Sequence, residues 1–404
     1  MRLKDIAYIN PAYIGSDLGD TLVSFSPMEC LRYDSLSPYT ISFSEAKGKY
    51  TSFCNNDILF AKVTPCFENQ NIAIANNLTN GIGFGSSEIN VVRLKSNTSH
   101  RYVFYLLCTN QFLNIGCASM CGVGGLKRVS PRAVSTFEFD LPSLAEQEAI
   151  AAYLDKECEK IGQRIALLER KADVYRRLRR SLINRAVTRG LTPDVLLKPS
   201  GNSWVGDIPQ HWGFERVEKH FHSKTLYNNA FAYKHAFKFF MGTIVPKDEN
   251  FDEDEYQDVY EKYTIVEQND IIINGLNLNY DLKSMRVGKV PYNGIITSAY
   301  VVLRPYGKTT NANYFNYLFK AFDNRKFFHG MGKGIRLTLS FNELRYFEIP
   351  IPPENEQKAI AAYLDEKCAK IDAIVEKINI QIERLKELKR SLINEVVTGK
   401  RAIN

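Results

Sequence analysis

A ten-residue phrase occurs twice in this chain of 404 residues, and the repeat around it restricts the possible folds more than any other feature of the sequence. EQEAIAAYLD occupies positions 146–155, and EQKAIAAYLD occupies positions 356–365. At the same offset of 210 residues, 142–190 aligns with 352–400 without a gap, and both stretches contain SLIN near their ends. Chance does not preserve register over such a length, so we infer a duplication that gave the chain two similar halves.

Both copies of the repeat have the pattern of a very long helix, predicted over 143–190 and 352–400. Ser143 and Glu146 form an S-x-x-E capping box, and Pro352-Pro353 suits the first turn of the second helix. Apolar residues then recur in steps of four and three, as in a coiled coil. In the first copy they are Leu154, Cys158, Ile161, Ile165, Leu168, Ala172 and Tyr175, and in the second Leu364, Cys368, Ile371, Val375, Ile378, Ile382 and Leu385. Each helix would be roughly 65–70 Å long, and covering both apolar stripes favours antiparallel packing of one helix on the other.

The remaining sequence predicts two globular domains, 1–142 and 203–351, with a linker at 191–202 before the second. Their aromatic and β-branched residues are interrupted at short intervals by Asn, Gly and Pro, which indicates short strands and turns with a few helices. NNDILFAKVTP (55–65) and QNDIIINGLNL (268–278) each place a polar turn before an apolar strand. Short helices are predicted at 100–110 and 313–322. Each domain also has a basic glycine-containing loop, CGVGGLKR at 121–128 and GMGKGIR at 330–336, named here the first and second glycine loops.

Composition excludes several classes of protein. No window approaches eighteen consecutive apolar residues, and the N-terminus MRLKDIAYINP lacks the apolar region of a signal peptide, so we expect a cytoplasmic protein without membrane association. The eight cysteines never form C-x-x-C and have no metal-ligand spacing with the histidines, so we expect neither a metal nor another cofactor. The net charge of +7 permits a polyanionic partner without requiring one.

Two motifs together resemble a known family. The paired helices carry E-Q-x-x-I-A-x-x-L-D, and the second domain begins with a W-x-G-x-I-P-x-x-W segment, here WVGDIPQHW at 204–212. This organisation resembles the DNA-specificity (S) subunit of Type I restriction-modification systems, over nearly the whole chain. The first half has no matching tryptophan segment, because Met1-Arg2-Leu3-Lys4 aligns only with the residues that follow Trp212. The resemblance implies an α+β protein with two globular mixed α/β target-recognition domains, joined by two long antiparallel coiled-coil helices with pseudo-twofold symmetry.

The resemblance also implies a function and partners. Each globular domain would read one half of a bipartite, asymmetric site in double-stranded DNA. The helices would fix the spacing and dock methyltransferase subunits, two copies being expected, and a motor-nuclease subunit would join for restriction. The chain itself would have no catalytic site. The alternative is a coiled-coil adaptor that binds proteins and not DNA. A steep dependence of DNA affinity on salt would distinguish the two functions, because an adaptor neutralises no phosphates.

Candidate DNA-binding residues lie in two kinds of loop. Glycines allow a backbone to approach a phosphate and lysine or arginine can neutralise it, so the glycine loops contribute Lys127, Arg128, Lys333 and Arg336. Base reading needs polar side chains at groove edges, and the loops after the two Asn-Asp-Ile strands offer them. These candidates are Lys62, Thr64, Glu68, Asn69 and Gln70 in the first domain, and Asn277, Asn279, Tyr280, Lys283 and Arg286 in the second.

Candidate partner-docking residues lie beside the apolar stripe at the start of each helix. They are Ile150 and Tyr153 in the first copy, and Ile360 and Tyr363 in the second. The packing of one stripe on the other does not account for these four residues. We therefore predict that they dock another protein.

Two short motifs imitate a methyltransferase. NPAY at 10–13 resembles the N-P-P-Y motif of amino-methyltransferases, and GIGFG at 81–85 resembles a glycine-rich cofactor loop. A cofactor loop needs a strand before it and a helix after it, whereas 86–94 has the alternation of a strand. No G-x-x-x-x-G-K-[ST] motif occurs, and EAK at 45–47 is too short to indicate a nuclease. The sequence therefore predicts no catalytic site.

Overall fold

The structure is a computed structural model that describes residues 1–95, 97–123, 125–223, 225–240, 242–247, 253–307, 310–334 and 337–403. The chain divides into two compact units, one formed by Met1–Glu169 with Asn379–Asn404 and the other by Arg170–Ile378. Each unit contains one globular domain and part of both long helices.

The first globular domain combines short strands with short helices. Its helices are α1 (Leu3–Ile6), α2 (Phe43–Ala46), α3 (His100–Leu106), α4 (Asn110–Ala118) and α5 (Pro131–Ser135), and the long helix α6 (Leu144–Arg189) follows. Its strands are β1 (Ala7–Ile9), β2 (Leu22–Ser26), β3 (Leu31–Arg32), β4 (Ser35–Leu36), β5 (Tyr39–Ser42), β6 (Thr51–Cys54), β7 (Ile58–Ala61), β8 (Ile72–Ile74), β9 (Ile82–Gly85) and β10 (Ile89–Leu94). One antiparallel sheet has the order β1-β10-β7-β8, and a second has the order β5-β2-β9-β6, in which β2 and β9 are parallel.

The second globular domain repeats the first sheet. Its strands are β11 (Leu197–Pro199), β12 (Asp207–Pro209), β13 (Gly213–Arg216), β14 (Phe221–His222), β15 (Phe237–Phe240), β16 (Thr243–Pro246), β17 (Thr264–Val266), β18 (Ile271–Ile273), β19 (Val287–Lys289), β20 (Gly294–Ile296), β21 (Val301–Pro305) and β22 (Glu348–Ile351). Its helices are α7 (Glu253–Tyr260), α8 (Ala312–Asn324) and α9 (Phe341–Leu344), and the long helix α10 (Glu354–Val397) follows. The sheet order β14-β21-β18-β19 matches β1-β10-β7-β8 strand for strand. The α+β class with two related domains and two long helices is therefore confirmed.

Within each unit, the start of one long helix lies beside the end of the other. In the first unit, Leu154 and Cys158 of α6 share a core cluster with Ile393 and Val397 of α10. In the second, Ile183 and Val187 of α6 share a cluster with Leu364 and Cys368 of α10. This is the antiparallel arrangement predicted from the apolar stripes. Fully burying each such aliphatic side chain contributes roughly 1.5–3 kcal/mol relative to exposure.

The polar residues of the repeated phrase hold each globular domain to its helix. Gln147 Oε1 accepts a hydrogen bond from Ser99 N (2.9 Å) just before α3, and Gln147 Nε2 donates to Pro142 O (2.9 Å). In the second half, Gln357 Oε1 accepts from Asn311 N (3.0 Å) just before α8, and Gln357 Nε2 donates to Pro352 O (3.0 Å).

The aspartates of the phrase act in the same way. Asp155 accepts from the Tyr105 hydroxyl (2.7 Å), and Asp365 accepts from the Tyr317 hydroxyl (2.8 Å). The phrase is therefore repeated because the same domain-to-helix joint is built twice.

Local capping explains where the helices begin and end. The capping box of α6 is present, since Ser143 Oγ accepts from Glu146 N (3.3 Å) and Glu146 Oε2 accepts from Ser143 N (2.9 Å). The helix predicted at 100–110 ends earlier, at Leu106, because Thr109 instead caps the start of α4. The predicted linker 191–202 contains strand β11, which pairs with β12. Among the described residues, no helix is both long and apolar enough to span a membrane.

Candidate nucleic-acid interface

The Asn-Asp-Ile phrase of the first domain forms a buried ion pair that sequence reasoning missed. Asn56 has a left-handed backbone (φ 71°), which turns the chain into β7. Asp57 is 2% exposed and accepts from Arg93 Nε (2.9 Å), from Arg93 Nη2 (2.7 Å) and from Cys54 N (2.7 Å). The Asp57 carboxylate raises the pKa of Arg93. This two-pronged pair fixes the start of β7 to the neighbouring strand β10.

The second domain contains the same pair in the same position. Asp270 is 1% exposed and accepts from Arg304 Nε (3.0 Å), from Arg304 Nη2 (2.7 Å) and from Glu267 N (2.8 Å). Asn269 again has a left-handed backbone (φ 77°). In both domains the ion pair therefore sets the direction of the segment that follows β7 or β18. These two segments carry the predicted base-reading residues.

In the first domain, hydrogen bonds join the segment after β7 to the first glycine loop. Val129 N donates to Lys62 O (2.8 Å), and Thr64 N donates to Lys127 O (2.9 Å). The Thr64 hydroxyl donates to Gly125 O (2.7 Å) and accepts from Lys127 N (3.1 Å). The two predicted sets of DNA-binding residues thus form one continuous edge, named here the first recognition edge.

Glycine is required inside this loop for steric reasons. Gly122 has φ 148°, and a Cβ there would lie 2.3 Å from Leu126 O. The loop presents apolar as well as basic side chains, because Val123 is 90% and Leu126 56% exposed. Lys127 is also exposed. Gly124 lies outside the described residues.

The side chains of the first recognition edge divide into exposed and internally bonded ones. Asn69 and Glu68 are exposed, and Lys62 is half-buried. Gln70 Nε2 donates to Cys108 O (2.9 Å), so this side chain stabilises the loop. Arg128 binds Glu88 through two nitrogens, at 2.8 Å for Nη2 and 2.9 Å for Nε, and this contact lowers the pKa of Glu88.

The second domain repeats the edge with different side chains. Leu278 N donates to Leu337 O (3.2 Å), and Leu339 N donates to Gly275 O (2.9 Å), which joins the chain after β18 to the end of the second glycine loop. A Cβ at Gly275 would lie 2.4 Å from Leu339 O, so this approach requires glycine. We name this the second recognition edge.

Most candidates of the second recognition edge are exposed. Asn277, Asn279, Lys283 and Lys333 are exposed, and Tyr280 is 74% exposed. Lys333 Nζ lies 3.4 Å from Glu343 Oε1, so one loop cation faces a carboxylate here too. The predicted residue Arg336 lies outside the described residues.

Arg286 requires a correction, because it is 2% exposed and serves the structure of the loop. Its Nη1 donates to Leu276 O (2.6 Å) and its Nη2 donates to Asp281 O (2.7 Å). Its backbone N also donates to the buried Asp323 carboxylate. Arg286 therefore shapes the loop that carries Asn277 and Tyr280 and is not placed to read bases.

The predicted docking residues also differ between the halves. Ile360 is 1% exposed and belongs to the core of the second unit, so the prediction that it docks a partner is wrong. Trp212 lies in the same core, and its Nε1 donates to Glu356 Oε2 (2.9 Å) while His211 Nε2 lies 2.6 Å from Glu356 Oε1. The tryptophan segment therefore covers the start of α10. Tyr363 is half-buried.

The corresponding position in the first unit is an open groove of about 840 Å³. Ile150 lines it, together with Leu141, Val397 and Ile403. Tyr153 is half-buried against the hydrophobic core of the first unit. Glu146, the counterpart of Glu356, also lines the groove and is bonded to Ser143.

The two motifs that imitate a methyltransferase have structural roles. Asn10 Oδ1 accepts from Val91 N (2.8 Å) and Asn10 Nδ2 donates to Asn90 Oδ1 (3.0 Å), which fixes the turn after β1. Residues 82–85 form strand β9, and the chain continues to β10 and not to a helix. Within the described ranges, no cluster of three or more histidine, cysteine or acidic residues could hold a metal ion.

Comparison with known proteins finds one family model and several similar specificity subunits. A family model described as "Type I restriction modification DNA specificity domain" matches residues 4–170 and again 222–384. The EcoAI specificity subunit of the Type I restriction enzyme from Escherichia coli is 31% identical over 261 residues, which cover 61% of this chain and 41% of that protein. The EcoEI specificity subunit, also from E. coli, is 33% identical over 160 residues, covering 39% and 27%. The matching part thus spans less than half the length of these two relatives.

Two solved structures share the fold. A chain from a structure described as "Structural basis underlying complex assembly and conformational transition of the type I R-M system" superposes with a TM-score of 0.71 at 16% identity, over 99% of this chain and 97% of that chain. The HsdS subunit from Thermoanaerobacter tengcongensis superposes with a TM-score of 0.51 at 16% identity, over 99% and 96%.

Proposed function

The chain belongs to the Type I restriction-modification DNA specificity family, and we propose that it recognises a bipartite, asymmetric site in double-stranded DNA, one half-site for each globular domain. Family membership implies recognition of a DNA sequence. The finer statement, that each recognition edge reads its own half-site, is supported by the structure of the two domains.

One observation carries this proposal: the two recognition edges have the same backbone and different side chains. In each domain, a buried aspartate–arginine pair positions the strand, and main-chain hydrogen bonds join the following chain to a glycine loop. Exposed side chains on this common backbone include Asn69 in the first domain and Tyr280 in the second. Two different sets of base contacts require two different half-sites, and hence an asymmetric target.

The exposed residues divide by chemistry into two roles. Lys127 and Lys333 would neutralise phosphates, because lysine binds phosphate as a mobile point charge. Lys62 and Asn69 in the first domain and Asn277, Asn279, Tyr280 and Lys283 in the second would face base edges. Thr64, Gln70 and Arg286 hold the loops in place. Arg128 would contact phosphate from its position beside Glu88.

The proposal is tested by selection of DNA duplexes with the purified full chain. Duplexes of random sequence that remain bound are sequenced, and we expect two short, unrelated motifs at a constant separation. Affinity for the selected duplex should fall steeply with salt, with a slope of log K against log salt of about 0.9 per neutralised phosphate. Failure to enrich any motif, with an affinity insensitive to salt, would support the alternative of a protein adaptor without DNA binding.

We further propose that the groove at Ile150 docks a methyltransferase subunit. The counterpart in the second unit is filled by Trp212, so an aromatic side chain of the partner fits the groove of the first. Ile150→Asp should weaken association with the methyltransferase at least about tenfold, since a charge would replace part of a buried apolar contact. Ala152→Asp adds the same charge at an exposed position that does not line the groove. Equal association of both variants in a pull-down would exclude the groove.

In the proposed complex, the partner subunits carry out the chemical reactions. The chain would provide the DNA sequence specificity, two methyltransferase subunits would modify the DNA, and a motor-nuclease subunit would join for restriction. Purified chain should therefore transfer no methyl group from S-adenosylmethionine until the methyltransferase is added.

A further inference from the structure

A groove in the second unit combines basic residues of a long helix and of the globular domain. Its volume is about 1030 Å³. Helix α6 contributes Arg176, Arg177, Arg179 and Arg180, and the globular domain contributes Lys283, Lys320 and Lys326. Among the described residues that line it, the acidic ones are Asp173 and Asp372. We name this surface the basic groove.

The two acidic residues do not neutralise the groove. Asp173 pairs with Arg176 (2.8 Å), and Asp372 pairs with Arg179 (2.9 Å). In the part of the chain that the structure describes, no carboxylate lies within 4.0 Å of the side-chain nitrogens of Arg177 or Arg180. Two exposed guanidinium groups are therefore available to an anion.

The electrostatic state of Lys320 agrees with a surplus of positive charge. Partial burial lowers the pKa of Lys320 to about 8, and the neighbouring Arg179 contributes to this lowering. Near neutral pH the ammonium group is mostly charged in a place where water only partly solvates it. A bound anion would compensate both the lost hydration and the repulsion.

The duplicated framework does not require the charge of Arg177. At the offset of 210 residues, Arg177 corresponds to Glu387 in α10, whereas Arg176, Arg179 and Arg180 correspond to the basic residues Lys386, Lys389 and Arg390. The basic run is thus largely shared by the two helices, and Arg177 is the position at which α6 has a guanidinium in place of a carboxylate.

The groove also adjoins the second recognition edge. Lys283, a candidate base-reading residue of that edge, lines the groove together with Leu282 and Met285 from the same loop. The Thr243 and Asn324 side chains add uncharged hydrogen-bonding groups. Several cations in a continuous groove fit successive phosphates of a nucleic-acid backbone better than a single small anion.

The geometry points to the basic groove as a binding site for the phosphate backbone of double-stranded DNA, so that helix α6 itself contacts the DNA bound by the second domain. This inference rests on the proposed function. It adds a sequence-independent contact to that function, because guanidinium–phosphate contacts position DNA without reading its bases. It also gives α6 a role in DNA affinity besides joining the two domains.

The test uses the full chain with both substitutions Arg177→Glu and Arg180→Glu, and measures binding to the selected duplex and to a random-sequence duplex. We expect both affinities to fall at least about tenfold, and the salt slope to become shallower by about two units, near 0.9 per lost contact. The ratio between the two affinities should stay unchanged. Arg177→Ala with Arg180→Ala should show a smaller loss in the same direction, and unaltered thermal unfolding would exclude misfolding as the cause.

The matched control is Lys171→Glu with Arg185→Glu. These residues are exposed on α6, do not line the groove, and give the same change in net charge. If the control weakens DNA binding as much as the groove variant does, or if the groove variant binds like wild type, the inference is wrong. Loss of methyltransferase association with intact DNA binding would also overturn it, by assigning the groove to an acidic protein segment. Failure of the proposed function is a different result, in which wild type itself selects no duplex.

Discussion

Asp270→Asn should destabilise the second globular domain by about 3 kcal/mol, and Asp57→Asn should destabilise the first by a similar amount. Asparagine has nearly the same shape as aspartate but cannot balance the charge of the facing arginine. Arg304 and Arg93 would each keep a positive charge in a largely buried place, with side chains 19% and 28% exposed. Removing one partner of a buried ion pair costs roughly 3–5 kcal/mol, and we expect the lower value because water reaches part of each arginine.

The measurement is denaturant unfolding followed by fluorescence, with hydrogen exchange to locate the weakened region. Asp270→Asn should increase exchange in β18 and β21, and Asp57→Asn should do so in β7 and β10. Asp17→Asn is the matched control, because Asp17 pairs with Lys47 on the surface (2.8 Å) with side chains 67% and 43% exposed. An exposed pair contributes little to stability, because water screens both charges. Equal, small effects of all three substitutions would show that the buried pairs do not hold the strands.

The sequence predicted the parts of the fold that depend on local pattern. Apolar residues recur every three or four positions along α6 and α10, and each series lies within one helix. The period is therefore visible in the sequence, and it predicts the packing of one helix on the other. Ser143 and Glu146 lie three residues apart, and their capping box was predicted correctly. The shared strand framework was visible because the Asn-Asp-Ile phrase occurs in both halves.

The errors concern side chains whose environment depends on distant parts of the chain. Ile360 and Ile150 occupy the same position in the repeat, yet only Ile360 has Trp212 in its core cluster. Arg286 had the right chemistry for base contact, but its side chain is used to bond the carbonyl of Leu276. Nothing within a few residues of these positions distinguishes the two outcomes.

One missed feature could have been found by comparing the halves. Asp57 and Arg93 are 36 residues apart, and Asp270 and Arg304 are 34 apart; each aspartate directly precedes β7 or β18, and each arginine lies in the neighbouring strand β10 or β21. An acidic residue directly before an apolar strand and a basic residue within the next apolar strand, recurring at similar spacing in both copies, indicate a buried pair. The base-reading residues had no such signal, because the two domains share almost no surface residues.

A fragment of residues 1–200 should form a homodimer through α6. In the first unit, α10 supplies Leu392, Ile393, Val396 and Val397 to the core. The positions 210 residues earlier, in α6, are Leu182, Ile183, Ala186 and Val187. A second copy of α6 therefore presents almost the same apolar surface, with one valine replaced by alanine. Because an antiparallel pair of like helices is symmetric, each copy can take the place of α10 for the other.

The charges of α6 oppose this dimer at low salt. The run at 176–180 carries four arginines; Arg179 pairs with Asp372 of α10, whereas Glu383 of α10 pairs with Lys386 of its own helix. In a second copy of α6, Gly162 stands where Asp372 would be, so Arg179 loses its partner. Screening reduces the repulsion between exposed like charges, so we expect the dimer to tighten as salt rises.

Analytical ultracentrifugation at micromolar concentration and at two salt concentrations measures this prediction. Ile183→Asp should leave the fragment monomeric, because in the dimer Ile183 takes the buried position of Ile393, whereas Lys171→Asp at an exposed position should not. The dimer would present two copies of the first recognition edge, so duplex selection should return a palindrome of the first half-site and, with methyltransferase added, support its methylation. A fragment that stays monomeric at both salt concentrations would mean that α6 cannot replace α10, and that the repeat preserves common ancestry without interchangeable helices.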